Sequence, residues 1–169
     1  MTRRRVLEAL VGAVATAIGV ALAVPALAFL TYPTRKRTVW GADEPLEVAS
    51  LGALPDGTPV RVTVTAPHRR DAWTRLDHVT LGGCWLVREG DEVRALSTVC
   101  PHAGCAVDWD ASGKSFVCPC HDSRFSTTGE RLSGPSPRPM DALDVELRAG
   151  RVRVAWQRFK TASAKKEPV

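Results

Sequence analysis

Two short cysteine–histidine boxes constrain this chain more than any other feature. The first is Cys100-Pro101-His102-Ala103-Gly104-Cys105 and the second Cys118-Pro119-Cys120-His121-Asp122-Ser123. Each offers a Cys and a His able to ligate metal, plus one further Cys. Two thiolates and two imidazoles suit zinc or an iron–sulfur centre, since both accept mixed sulfur and nitrogen donors. Zinc fingers pair Cys with Cys and His with His at short spacings. Here each box pairs a Cys with a His, as Cys-x-His and then Cys-x-x-His, and that spacing favours iron–sulfur. Any fold for the chain must therefore present two loops to one metal centre.

At these residues the sequence resembles the Rieske family, whose signature Cys-x-His-x-x-Cys and Cys-x-Cys-His is met at every ligand position. The resemblance covers roughly residues 46–156. It implies that Cys100 and Cys118 bind one iron of a 2Fe-2S cluster and His102 and His121 the other. It also implies a disulfide between Cys105 and Cys120, as in the quinol-oxidising branch. Downstream, Gly134-Pro135-Ser136-Pro137-Arg138-Pro139 looks like that branch's proline loop. On this assignment four of the five cysteines are accounted for and Cys84 is left over.

The donor set has a physical consequence. Replacing two thiolates by neutral imidazoles removes two negative charges, which makes an added electron easier to accept. Such centres reach potentials of roughly −150 to +300 mV. Imidazole also carries an N–H on the side away from iron. Ferric iron acidifies that N–H and reduction relieves the pull, so electron and proton uptake are coupled at His102 and His121. A quinol oxidant needs that coupling.

Several neighbours bear on the site. Pro101 and Pro119 restrict the backbone beside the ligands. Ser123 matches a family position whose hydroxyl donates to a cluster sulfide. Phe125 stands where high-potential members often carry a Tyr that donates to a ligand sulfur; without it the reduced cluster is less stabilised. A lower potential follows, which fits a menaquinol donor. Asp122 departs from the Gly common after the second His. If the position needs positive φ, Asp is among the less unfavourable substitutes, and it reads as a solvated loop residue rather than a proton relay. Gly104 and Gly134 are read as permitting tight loop geometry.

The N-terminus reads as an address and an anchor, residues 1–31. Thr2-Arg3-Arg4-Arg5-Val6-Leu7 resembles a twin-arginine export signal, with Val6 in place of the usual Phe. The apolar run from Val6 to Leu30 is interrupted only by Glu8. At about 1.5 Å per residue it can cross a hydrocarbon core of about 30 Å. Ala26-Leu27-Ala28 could be a cleavage site, but the run exceeds a signal core of about 7–15 residues, which favours a retained anchor. Residues 32–45 are polar and punctuated by Pro33, Gly41 and Pro45. They read as a flexible tether that lets the head swing between redox partners.

Residues 46–160 read as mainly β. Val60, Val62 and Val64 alternate with Arg61, Thr63 and Thr65, the mark of a half-buried strand. β-rich runs recur at Cys84–Arg88, Glu92–Ser97 and Lys114–Cys118. Glu89-Gly90-Asp91 and Ala149-Gly150 are hairpin turns. The expected fold is a single transmembrane helix followed by an antiparallel β-sandwich with both boxes on its loops. Trp73, Trp85, Trp109 and Trp156 are expected to fill the small core or cover the cluster loops, and Cys84 to be a buried thiol. His68, in a polar loop, and His78 are expected to be exposed. Residues 161–169 read as a disordered tail. The net charge of +5 comes from dispersed Arg and Lys with no basic–aromatic alternation, which argues against nucleic-acid binding.

The function implied by the resemblance is electron transfer. The chain is expected to be the iron–sulfur subunit of a quinol–cytochrome c reductase, with a cytochrome b-type subunit, a c-type cytochrome and quinol as partners. The whole complex is expected to be dimeric. The location implied is a bacterial cytoplasmic membrane, single-pass, with the head on the outer side. His102 and His121 act as ligands and hydrogen-bond acceptors for quinol. Alternative readings are the small subunit of an arsenite oxidase-like molybdoenzyme and a structural zinc module. An oxygenase or its ferredoxin is disfavoured by Cys105, Cys120 and the anchor.

Overall fold

The computed structural model describes residues 2–35, 44–70 and 75–169. It divides into two compact units, an N-terminal helix and a β-rich head.

Helix α1 spans Arg3–Arg35. Within Arg3–Tyr32 an 18-residue window has a mean hydropathy of 2.3 with none of that window buried, so the helix is long and apolar enough to cross a membrane. Several of its polar groups are satisfied locally: Arg4 pairs with Glu8 at 2.9 Å, and Thr16 and Thr31 donate to the carbonyls of Gly12 and Leu27. Residues 32–35, expected in the tether, continue this helix. Extension adds a backbone hydrogen bond for each residue fixed that carries an N–H, which Pro33 lacks and Tyr32, Thr34 and Arg35 have, so the helix outruns its apolar stretch. Residues 36–43 of the expected tether, and with them the hinge, lie outside the described residues, as does Trp73.

Among the described residues the head holds ten strands: β1 Leu46–Ser50, β2 Val60–Arg70, β3 Arg75–Glu89, β4 Glu92–Ser97, β5 Asp108–Asp110, β6 Ser115–Cys118, β7 Ser123–Phe125, β8 Arg131–Ser133, β9 Ala142–Arg148 and β10 Arg151–Ala155. They form a six-stranded sheet in the order β1-β10-β9-β4-β3-β2 and a four-stranded sheet in the order β5-β6-β7-β8. All strand pairs are antiparallel.

Turn chemistry fixes the register. Ala149 and Gly150 have φ of 50° and 72°, as a two-residue hairpin loop requires, and they set Arg148 opposite Arg151. Gly90, at φ 65°, does the same between β3 and β4. In β2, Val64 and Ala66 are buried while Arg61, Thr63 and Thr65 face solvent. His68 belongs to β2 rather than a loop, opposite Asp77 of β3; both His68 and His78 are exposed. At Gly82 a Cβ would meet the Trp156 ring at 2.3 Å, so only glycine lets that ring lie against β3.

The run Cys84–Val87 is buried throughout because β3 is covered on both faces. Cys84 and Leu86 belong to one core with Val64, Ala95, Val152, Val154 and Trp156. Trp85 and Val87 point the other way and join Leu96, Val107, Phe116, Phe125 and Met140. Period-two alternation thus assigns neighbouring residues of one strand to two cores. The second core also contains Cys100 and Cys118, which seats the boxes on packed side chains.

The C-terminal segment 161–169 does not behave as a disordered tail. Lys160 donates its backbone N–H to Glu167, Phe159 bridges Pro168, and the Lys166 ammonium reaches the Ala142 carbonyl. Its order comes from backbone and charged-group hydrogen bonds, which an apolar-content criterion does not register.

Candidate metal centre

The first box is a tight loop between β4 and β5. Val99 bridges Ala106, the Cys100 N–H donates to the Cys105 carbonyl at 2.8 Å, and the Gly104 N–H returns to the Cys100 carbonyl at 2.9 Å. Gly104 closes the turn at φ 83°. The second box is the loop of the β6–β7 hairpin: Cys118 ends β6, Ser123 opens β7, and the two are register partners. Asp122 turns the chain at φ 55°, which accounts for a residue tolerant of the left-handed region there.

The boxes are tied to each other and to the proline loop. A disulfide joins Cys105 to Cys120, with Cα atoms 6.6 Å apart. At Gly134, φ 89°, a Cβ would lie 2.4 Å from the Ser123 Cα and 2.8 Å from the Asp122 carbonyl, so the proline loop touches the second box backbone to backbone. The Ser136 N–H then donates to the Ser123 hydroxyl at 3.1 Å. That bond uses the hydroxyl as an acceptor and leaves its own proton free to donate.

Among the candidate ligands, Cys100 and Cys118 are buried free thiols. Burial pushes the Cys100 thiol up; the backbone N–H groups of His102 and Ala103 pull the other way, and the neighbouring Cys118 thiol pushes it up again. The His102 and His121 rings lie edge to face, with centroids 4.7 Å apart. His102 is half-buried and His121 exposed. The His102 Nδ1 atom is buried and has no hydrogen-bond partner. A buried imidazole nitrogen without a partner is costly, and a metal is the partner that two adjacent thiols and a second imidazole would share. The sulfurs of Cys105, Cys118 and Cys120 also lie within 4.8 Å of one another. Two of those three are spent in the disulfide, so they are no ligand set by themselves. The donors fit a cluster with two sulfur and two nitrogen ligands.

Comparison with known proteins agrees. The family model for the Rieske [2Fe-2S] domain matches residues 44–151. The chain belongs to the Rieske family. Its cofactor is accordingly a Rieske-type 2Fe-2S cluster. The chain is 30% identical over 138 residues to the cytochrome b6-f complex iron-sulfur subunit of Chlorobaculum thiosulfatiphilum, covering 82% of this chain and 66% of that protein. It is 29% identical to the menaquinol:cytochrome c reductase iron-sulfur subunit of Bacillus subtilis, covering 89% of each. The apo structure of a quaternary ammonium Rieske monooxygenase matches with a TM-score of 0.50 at 20% identity, over 70% of this chain and 34% of that one. That likeness shows the Rieske fold of the head and nothing further.

The structure brings together all seven residues singled out in the Rieske boxes: Cys100, His102, Cys105, Cys118, Cys120, His121 and Ser123. Phe125 is fully buried in the core that holds Cys100 and Cys118. Trp85 donates its indole N–H to the Val107 carbonyl at 2.9 Å, and its ring and that of Trp109 flank Phe116, at 5.5 and 5.0 Å. Sequence reasoning did not find two features beside the site. One is Arg138, buried against Asp141, and the other is the C-terminal segment lying along the first box. An Arg between two prolines and next to an Asp three positions on was the available signal.

Proposed function

We propose that this chain is the electron-transfer subunit of a membrane quinol–cytochrome c reductase. Cys100 and Cys118 hold one iron and His102 and His121 the other. The cluster, when bound, takes up and gives back a single electron. The observation that carries this reading is the polarity of the site. Its thiol ligands are buried in the core, whereas the imidazoles lie toward the surface, His121 exposed and His102 half-buried. A redox partner reaches the imidazole side, where a quinol hydroxyl can donate to a ring nitrogen and leave its proton there. The Ser123 hydroxyl, buried and held by Ser136, is positioned to donate toward the sulfur side.

The relatives named above support cytochrome partners, a b-type subunit and a c-type cytochrome, and the complex in this reading is dimeric. Phe125, lacking a hydroxyl in the core of the site, and the menaquinol reductase relative together support menaquinol as donor. The apolar helix supports a single-pass anchor in a bacterial cytoplasmic membrane. The arginines ahead of it support export of the folded head to the outer side.

An EPR-monitored redox titration of the membrane-bound protein at several pH values tests the proposal. A Rieske-type signal that menaquinol develops, with a midpoint falling as pH rises, is expected. A pH-independent midpoint would remove the proton-coupled quinol role, and zinc in place of iron would remove electron transfer itself.

A further inference from the structure

The C-terminal segment lies against the first box, and one buried guanidinium holds it there. Arg138 is 6% exposed and pairs with Asp141 through two parallel bonds, Nε to Oδ1 at 2.9 Å and Nη2 to Oδ2 at 2.8 Å. That fork leaves further donors, and two of them leave the proline loop: Nη2 donates to the Lys160 carbonyl at 2.8 Å and Nη1 to the Ser163 carbonyl. Both carbonyls flanking Thr161 and Ala162 are thereby fixed. A planar guanidinium with its donors at set angles can hold two strands of backbone in one geometry, which an ammonium cannot.

Between those anchors Ala162 takes φ 54°, a conformation that an alanine rarely adopts unless its surroundings impose it. In it the Ala162 N–H points at two carbonyls of the first box, Pro101 at 2.8 Å and His102 at 2.9 Å. These carbonyls belong to the peptide planes on either side of the His102 Cα. With planar peptides, the orientation of those two planes is the backbone conformation of His102, and it sets where the ring can point. The same proline loop reaches the second box, because Ser136 donates its hydroxyl to the Arg138 carbonyl and its N–H to Ser123.

We propose that Arg138 is a positioning residue for the metal centre, which it orients by clamping residues 160–163 so that Ala162 pins both peptide planes of His102. The C-terminal segment is then a working part of the site. This rests on His102 being a cluster ligand. The guanidinium bonds Asp141 and the carbonyls of Lys160 and Ser163, so Arg138 acts through the segment and its effect is on ligand geometry.

Two variants of the full-length membrane protein test this: Arg138→Gln, and a stop codon in place of Lys160. The truncation keeps the Arg138–Asp141 pair, so it decides the matter even where Arg138→Gln fails to fold. EPR g-values, the midpoint at one fixed pH, and the rate of iron release to a chelator are measured on each. Loss of the shared Ala162 hydrogen bond is expected to shift g-values and midpoint in the same sense in both variants and to speed iron release about ten-fold. Combining them should add nothing to the truncation alone. A truncated protein with wild-type g-values, midpoint and release rate overturns the proposal, and so does a lowered melting temperature with the other readouts unmoved. A wild-type protein without a Rieske signal instead removes the ligand assignment beneath it, a distinct result.

Discussion

Single side chains in the head carry separable loads. Cys84 is fully buried and its thiol is pushed up to about 12 by burial, against 9.0 for the free group. The folded chain therefore keeps a proton that the unfolded chain loses above about pH 9. The Cys84 contribution is fully present below that pH and falls by about 1.4 kcal/mol per unit as pH rises toward 12. Urea unfolding between pH 8 and 10.5 should show this as a slope that Cys84→Ala removes, about 2 kcal/mol across the range. Equal slopes in the two proteins would show that the thiol ionises in place. Phe125 carries a different load. Its ring sits in the core with Cys100 and Cys118, so Phe125→Tyr brings a hydroxyl to the sulfur side of the site. A donor there stabilises the reduced, more negative state, and the midpoint should rise. The extra oxygen also crowds a fully buried site, at a cost of about 1–3 kcal/mol that thermal unfolding would register. An unchanged midpoint would mean that the hydroxyl finds some other acceptor.

At the scale of elements, the site depends on loops held by other loops. Gly134→Ala would drive a methyl group to within 2.4 Å of the Ser123 Cα while also straining a backbone at φ 89°. The proline loop must then lift from the second box. We expect about 2–4 kcal/mol of lost stability and an altered Rieske EPR line shape, read by thermal unfolding and by spectroscopy of the membrane-bound protein. A normal line shape would show that the loop and the box are independent. This coupling also separates what the sequence made legible from what it did not. The boxes were readable because ligand chemistry needs given residue types at given spacings. Strands β2, β3, β4 and β6 were readable because alternation or a β-rich run marks burial over several residues, and β9 and β10 through the Ala149-Gly150 turn that joins them. Strands β5, β7 and β8 are three residues each, too short for any period to emerge. The order of residues 160–169 rests largely on backbone carbonyls, which every residue has, and the Arg138 clamp showed in the sequence only as an Arg between two prolines with an Asp three positions on. The reach of α1 to Arg35 escaped for a similar reason, since helix extension is driven by main-chain bonding.

Across the whole molecule, anchoring and redox chemistry fall on different parts of the chain. Both cores, both boxes, the disulfide and the proline loop lie within residues 46–169, and among the described residues the hydrogen bonds that shape the centre close within that range. The helix contributes apolar surface and local hydrogen bonds of its own. A chain lacking residues 1–43 should therefore fold cooperatively, remain in solution and give the Rieske EPR signal with the midpoint of the full-length protein. What it should lose is turnover with membrane quinol, because an untethered head must find its partner by three-dimensional diffusion, whereas an anchored one is held at high effective concentration. Comparing the midpoint with the rate of quinol-dependent cytochrome c reduction separates the two contributions. A midpoint that shifts on truncation would place part of the cluster's environment in the N-terminal segment. A midpoint that holds while the rate collapses would assign the anchor to encounter and the head to chemistry.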